Sequence, residues 1–401
     1  MVRDPVMNDP VTNDPPARRR PVEAATALVR SLPGRFTSPL HSERVAAQLG
    51  IWLGISFTVA LVTGLISHFM QHPPPWMLWP SRPVNLYRVT QGVHVIGGLA
   101  TIPLLLAKLW SVYPRLWQWP PFRSLSHAVE RGLVLLLVGG ALFQLVTGLL
   151  NISYAYLWPF SFPAAHYWTS YVLYGALLIH VVNEWAKVRA NLWTRERVEA
   201  PEVTRSRRRF LGTVAAACGL TVMVTVGETF APLSKLAVLA PRAPQAGPQG
   251  VPVNRTAVAA GVTETIRRPD FRLAMTGAVR AELSLTLAEL AAMPQHTARL
   301  PISCVEGWSA EAEWGGVRLR DLAERAGVAP EAVLVVESLE RSGAYNSSEV
   351  RAPHWNDPLT LLALRIDGSP LDPDHGYPLR LIAPNRPGVL QTKWVTRVVV
   401  S

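Results

Sequence analysis

Long uncharged apolar stretches alternate with basic loops over roughly the first half of the chain, and shorter mixed segments follow. A helix needs about 20 mostly apolar residues to cross a bilayer. Five stretches approach that length: 47–67, 89–107, 132–150, 164–183 and 210–227. The pattern predicts an all-α membrane bundle of five spans. Residues 1–45 are rich in Pro and Arg and predict a disordered tail.

The remaining chain divides at changes in composition. We assign a four-helix membrane domain to 46–190, a basic loop with the fifth span to 191–231, a Pro/Gly/Ala-rich linker to 232–253 and a soluble domain to 254–401. In the soluble domain, strands are predicted at 271–275, 333–338, 379–382 and 395–400. Amphipathic patterns predict helices at 287–292, 319–326 and 359–364. This mixture predicts an α+β fold.

The net charge of +11 resides in the first 250 residues, which carry 23 Lys and Arg against 11 Asp and Glu. Residues 251–401 carry 16 against 17. A basic, apolar part followed by a neutral part argues against a nucleic-acid partner and for a membrane. Because the tail and the second and fourth loops are the basic ones, we expect the N-terminus in the cytoplasm and the soluble domain outside the inner membrane, periplasmic or extracellular.

The fifth span begins with the run SRRRFLG at 206–212. It resembles a twin-arginine export signal, here internal. That pathway carries folded, cofactor-loaded proteins, so the resemblance implies export of the soluble domain after its cofactor is inserted. The alternative is an ordinary basic anchor.

Ionisable residues inside membrane spans indicate function. His166 and His180 on the fourth span are fourteen residues apart, which is close to four turns and about 21 Å, so both project from one face at different depths. Such spacing suits axial ligands of two stacked b haems. His94 on the second span is level with His166 and forms the predicted outer pair. For His180 we prefer His41.

Other histidines leave the ligand sets open. His127 is an alternative partner of His180, and His68 could replace His94. Packing histidines, satisfied by neighbouring hydroxyls, are the structural alternative for all of them. The layout resembles the diheme b-type cytochrome subunits of formate dehydrogenases and hydrogenases.

The chain has only two cysteines, Cys218 and Cys304, which provide no disulfide framework. Cys304 is a lone thiol, and thiolates bind heavier metals. Around it are CVEGW at 304–308, WGGV at 314–317, HGYPLRL at 375–381 and KWV at 393–395. This set resembles the sulfite-oxidase family of molybdopterin enzymes over 254–401, nearer the bacterial periplasmic catalytic subunits. The whole chain resembles fusions of such a domain to a membrane cytochrome.

The resemblance implies a role for each matching residue. Cys304 would be the protein thiolate on molybdenum, and Tyr345 would lie beside the metal as a hydrogen-bond donor. The other matching positions would contact the molybdopterin cofactor, with the two cations holding the pterin and its phosphate: Asn254, His375, Arg380 and Lys393.

One departure from the family concerns the substrate. The arginine cluster that clamps sulfite is not identifiable, because the segment around Cys304 is acidic, with Glu306 and Glu313, and Arg299 is its only nearby cation. The sequence therefore favours a membrane-bound molybdenum oxidoreductase that takes electrons from a quinone or flavin donor through b haems and reduces a small-molecule S-oxide or N-oxide. A sulfite-type dehydrogenase, a haem-free enzyme served by a soluble cytochrome, and a noncatalytic membrane-anchored binding protein are the alternatives.

Overall fold

The structure is a computed structural model that describes residues 27, 28, 31, 34, 36–116, 118, 120, 122–193, 200–243 and 245–401. Most of the predicted tail, 1–45, lies outside the described residues, as do residues 194–199 of the basic fourth loop.

Five long helices make up the N-terminal part. They are α1 Glu43–Gln71, α2 Leu86–Leu116, α3 Leu125–Ile152, α4 Phe162–Trp193 and α5 Pro201–Met223. Each contains most or all of one predicted apolar stretch and extends beyond it to polar residues. Ser42 and Ser124 begin α1 and α3, where each side-chain oxygen accepts a backbone N–H of the first turn.

Four helical segments are long and apolar enough to cross a membrane: 43–71, 86–115, 125–152 and 201–228. They allow membrane anchoring. Helix α4, although 32 residues long, is not among them, because its polar side chains, above all His166 and His180, lower its mean hydropathy. It packs against α1 and α3. Five spans are therefore not confirmed, and the orientation derived from them stays a prediction.

The C-terminal part is rich in β-sheet. Its strands are β1 Arg272–Gly277, β2 Leu283–Thr286, β3 His296–Ser303, β4 Ser309–Arg318, β5 Leu334–Ser338, β6 Ser347–Val350, β7 Leu361–Ile366, β8 Ser369–Pro370, β9 Arg380–Ile382 and β10 Val395–Val400. The helices are α6 Leu287–Ala292, α7 Leu319–Ala326 and α8 Ala352–Trp355. One sheet has the order β2-β1-β10-β5-β6. The other has β3-β4-β7-β8, with β9 also on β7.

The helix predicted at 359–364 is wrong, because this segment forms β7. Leu361, Leu362 and Ala363 are all fully buried, because Leu362 packs in one apolar cluster, and Leu361 and Ala363 pack in another. A strand covered on both faces has a continuous apolar sequence that periodicity does not distinguish from a buried helix.

The β3–β4 hairpin was not predicted, yet it positions the candidate site. Its register pairs Ser303 with Ser309, so residues 304–308 form the connection between the two strands. Cys304 therefore lies at the end of a hairpin rather than inside a strand.

The two parts of the chain are in contact. The Arg82 guanidinium donates two hydrogen bonds, of 3.0 and 3.1 Å, to the Asp357 carboxylate. Asn385 Oδ1 accepts from the backbone N–H of Tyr87 at 2.9 Å, and Asn385 Nδ2 donates to Pro80 O at 2.7 Å. The beginning of α2 and the loop before it thus pack on the sheet-rich domain.

Candidate active site

The Cys304 turn is closed by two backbone hydrogen bonds. Cys304 N donates to Trp308 O at 2.9 Å, and Gly307 N donates to Cys304 O at 3.1 Å. Gly307 has φ +100°, a conformation that favours glycine. The turn holds Cys304 with only 4% of its surface exposed.

The thiol of Cys304 has one amide neighbour. Asn254 Nδ2 donates to Cys304 Sγ at 3.0 Å, and Trp308 Nε1 holds the same amide by donating to Asn254 Oδ1 at 3.2 Å. Burial, followed by the nearby charge of Glu306, raises the pKa of Cys304 to about 12. The free thiol is therefore protonated at neutral pH, and a soft metal ion that replaces the proton would stabilise the thiolate.

Glu306 makes the surroundings of this thiol acidic. Glu306 is 3% exposed, and its Oε2 lacks a hydrogen-bond partner among the described residues. Burial raises the pKa of Glu306 to about 7, and Arg242 opposes that shift. Arg242 comes from the linker, so sequence proximity did not reveal it. Arg299, the cation named from the sequence, instead binds Glu311 at 2.6 Å on the exposed face of the hairpin.

A second cluster contains buried cations. Arg380 Nη1 donates to His375 O at 3.0 Å, whereas Arg380 Nε is buried without a hydrogen-bond partner in the described structure. Lys393 Nζ donates to the carbonyl oxygens of Arg255 and Asp374. Burial lowers the pKa of Arg380 to about 9 and that of Lys393 to about 7. No acidic side chain offsets the burial of Arg380 in the described structure, and Asp374 and Glu340 offset that of Lys393 only in part. An anionic group such as a phosphate therefore fits this cluster.

His375 and Tyr345 differ in their burial and in their neighbours. His375 is 1% exposed, and its Nε2 donates to Pro248 O at 2.6 Å. That nitrogen is therefore engaged with the linker. Tyr345 lies in the connection between β5 and β6, is 40% exposed, and is close enough to Cys304 for the thiolate charge to add to burial in raising its pKa.

Two tyrosines of the N-terminal part also approach Cys304, and sequence reasoning missed both. Tyr87, at the start of α2, is 1% exposed. Tyr156 lies between α3 and α4; burial, then the charge of Glu306, raises its pKa to about 12, with a smaller contribution from Cys304. Their proximity follows from domain contacts that no local sequence pattern shows.

The structure brings His94 and His166 together. Their ring centroids are 6.1 Å apart, with the planes at 82°. His94 Nδ1 donates to Ala60 O at 2.8 Å. Thr147 Oγ1 donates to Phe143 O, so at 3.0 Å it accepts from His166 Nδ1. Neither Nε2 atom has a hydrogen-bond partner in the described structure, so both could serve as metal ligands.

A cavity of about 640 Å³ surrounds this pair. The Gly64 backbone lies against the His94 ring, since a Cβ on Gly64 would lie 2.8 Å from His94 Cε1. The volume is in the range of cofactor pockets. Val305 and Tyr345 line the same cavity, which therefore reaches from the paired histidines to the residue after Cys304.

His41 and His180 are placed differently. The His41 ring lies 4.4 Å from that of Trp110, and Nδ1 is 3.3 Å from Ser111 O. His180 lies in electrostatic range of Lys108. Among the described residues there is no ring contact between His41 and His180.

The two alternative ligands also have other neighbours. His68 stacks on Tyr167 with centroids 3.7 Å apart, and His127 Nδ1 accepts from Arg123 N at 3.2 Å. The haem ligand assignments stay predictions.

Comparisons with known proteins identify the C-terminal domain. Residues 259–401 match the family described as oxidoreductase molybdopterin binding domain. The uncharacterized oxidoreductase YuiH of Bacillus subtilis is 33% identical over 126 residues, 31% of this chain and 62% of YuiH. The putative protein-methionine-sulfoxide reductase subunit YedZ1 of Azospira oryzae is 32% identical over 131 residues, 33% and 49% of the two chains. Mitochondrial sulfite oxidase of Drosophila melanogaster is 31% identical over 162 residues, which cover 34% of this chain and 28% of that protein.

The chain spans less than two thirds of each of these relatives. The resemblance drawn from the motifs is confirmed for the soluble domain, which is an oxidoreductase domain of the molybdopterin-binding type. The family match does not extend to α1–α5.

Proposed function

We propose that this chain is a membrane-bound molybdenum enzyme that reduces an uncharged S-oxide or N-oxide outside the cytoplasm. A quinol or flavin donor supplies the electrons through haem b, and the inner membrane holds the chain with its N-terminus in the cytoplasm. The observation that carries the proposal is the cavity lined by His94 and His166 on one side and by Val305, next to Cys304, on the other.

Molybdopterin, when bound, would supply two-electron oxygen-atom transfer. Cys304 Sγ would bind the metal, with Asn254 Nδ2 fixing the sulfur by its 3.0 Å hydrogen bond. The unpartnered Arg380 Nε and the nearby Lys393 ammonium would bind the phosphate of the cofactor. Tyr345 Oη would donate a hydrogen bond to the substrate oxygen.

Haem b would supply one-electron transfer. His94 and His166 would bind it through Nε2, because each Nδ1 already donates to an oxygen of the protein. The glycine at position 64 leaves room beside the His94 ring.

The acidic surroundings of Cys304 support an uncharged substrate. Glu306 is buried close to the thiol, and Arg242 provides only partial compensation. An anion such as sulfite would be repelled whenever Glu306 is ionised. The similarity to sulfite oxidase keeps an inward-feeding sulfite dehydrogenase as the second candidate, with the same residues binding the cofactor.

The proposal is tested by replacing Cys304 with Ser in the detergent-solubilised chain. A hydroxyl does not match thiolate donation to molybdenum, so reduction of dimethyl sulfoxide by reduced viologen should be lost while the haem absorption spectrum stays intact. Cys218→Ser is the matched control, because Cys218 lies on α5 and its Sγ donates to Ala100 O. Retained turnover in Cys304→Ser would refute the site, and sulfite oxidation without oxide reduction by the wild type would favour the dehydrogenase.

A further inference from the structure

The Cys304 turn contacts the helix that carries His94. Gln91 Nε2 donates to Val305 O at 2.9 Å, and Gln91 is only 6% exposed. Gln91 precedes His94 by three residues, about one helical turn. One side chain of α2 thus holds the peptide next to the proposed molybdenum ligand. The proposed haem ligand lies about one turn further along the same helix.

Two further contacts hold the same turn. A Cβ built on Gly307 would lie 2.9 Å from Val95 Cγ2, which places Val95 directly against the glycine. On the other side, Thr229 Oγ1 donates to Gly307 O at 2.7 Å. Val95 follows His94 in α2. Gln91, before the proposed haem ligand, and Val95, after it, therefore both contact the turn.

We infer that electrons enter the molybdenum site through the Val305 peptide, and that Gln91 is the positioning residue that holds this peptide at the end of the haem cavity. The inference rests on the proposed function. Val305 lines the cavity that contains His94 and His166 and is bonded directly to Cys304. Because electron transfer slows steeply with distance, a contact that fixes this peptide controls the rate between the two sites.

The electron balance is that of an oxide reduction. The S–O bond breaks, sulfur gains two electrons, and two protons from the outer aqueous phase leave with the oxygen as water. A haem carries one electron at a time, so two successive transfers cross the Val305 peptide in each turnover. A quinol is the reductant and becomes a quinone.

Other contacts keep the domains together without Gln91. The Arg82–Asp357 pair and the hydrogen bonds of Asn385 lie outside the turn, and Arg88 on α2 binds Glu311 at 3.2 Å. Removal of the Gln91 amide should therefore release the turn locally and leave the domains docked.

The test compares Gln91→Met, which keeps the length of the side chain and removes the donor, with Arg88→Gln one turn away on α2. Both should retain haem content and viologen-driven reduction of dimethyl sulfoxide. In Gln91→Met, the haem prereduced by a quinol analogue should be reoxidised several-fold more slowly after mixing with dimethyl sulfoxide, as followed by stopped-flow absorbance. Arg88→Gln should match the wild type.

A second measurement does not depend on turnover. A photoreactive benzoylphenylalanine at position 95 should crosslink to residues 304–308, as identified by mass spectrometry, in protein with or without molybdopterin. If Gln91→Met loses haem, Val95→Ala replaces it in the kinetic comparison, since that change also loosens the turn.

The outcomes separate the two proposals. Wild-type protein without viologen-driven oxide reduction would refute the proposed function. Active wild-type protein with unchanged haem reoxidation in Gln91→Met, or crosslinks from position 95 that miss the turn, would overturn the inference about the electron path.

Discussion

The outer and inner halves of the helical bundle, named for the predicted orientation, both carry candidate haem ligands, but their surroundings differ in the described structure. Near His94 and His166, both Nδ1 atoms are hydrogen-bonded and a large cavity adjoins the rings. In the inner half, the His41 ring packs against Trp110. His41 Nδ1 also lies 3.3 Å from a carbonyl oxygen, that of Ser111, so a fixed tautomer is common to both halves. The cavity beside the rings is what distinguishes the outer pair.

Lysine occupies the corresponding level of the inner half. Lys108 Nζ donates to Ala46 O at 2.6 Å and lies 3.2 Å from a Cβ built on Gly50. A glycine that faces His94 in the outer half thus has a counterpart that faces an ammonium group. On α1, Gly64 lies against the His94 ring and Gly50 lies against the Lys108 ammonium group.

The largest effect that would test this comparison is expected from His166→Ala. Removal of one of the two paired rings leaves the outer site with a single ligand, so we expect loss of most of the bound haem and of quinol-driven oxide reduction. Haem per protein, measured by the pyridine haemochrome spectrum, checks this. His296→Ala is the control, because His296 lies on β3, where its Nε2 is 3.5 Å from Asp321 Oδ2. Normal haem content in His166→Ala would refute the outer site.

The next effect is expected from Gly64→Ala. The added methyl group would lie 2.8 Å from His94 Cε1 and 2.9 Å from Nδ1, which forces the ring to move and lowers the haem content. Gly54→Ala is a matched control on α1, since a Cβ there meets no atom within 4 Å. Equal haem contents in the two variants would show that the close approach does not matter for binding.

A smaller effect is expected from Thr147→Val, which preserves shape and removes the acceptor for His166 Nδ1. Loss of a partner that orients a metal ligand lowers metal affinity by about 10- to 100-fold, so haem titration of the apoprotein should give a higher Kd. Thr213→Val is the control, because the Thr213 hydroxyl on α5 donates to Arg209 O of its own helix. An unchanged Kd would mean that the Thr147 bond does not orient the ring.

Sequence reasoning succeeded where a single local pattern carries the information. Helix α7, which buries one face through residues three or four apart, was predicted with its correct bounds. The bounds of β10 were also predicted correctly. Helix geometry also predicted that His94 and His166 lie close together, as they do, whereas their role as ligands and that of Cys304 stay predictions. These features need only the chain's own periodicity or a short run of residues.

The missed features depend on contacts distant in sequence. β7 was read as a helix because burial on both faces removes its alternation. Arg242 approaches Glu306 from the linker, and Gln91 reaches Val305 across the interface of the two parts. Each is an ordinary polar residue in its local context, so only the folded arrangement reveals what it contacts.

The smallest effect is expected from His180→Ala, and it decides how far the two halves differ. If the protein binds two haems, as the histidine spacing predicts, His180→Ala should remove about as much haem as His166→Ala. The structure supports a smaller loss, because His180 has no described ring contact with His41 and Lys108 lies nearby. Haem per protein in both variants, prepared in parallel, measures the difference. A loss of half the haem in His180→Ala, with the remainder still reducible by dithionite, would establish an inner haem and remove the contrast between the halves.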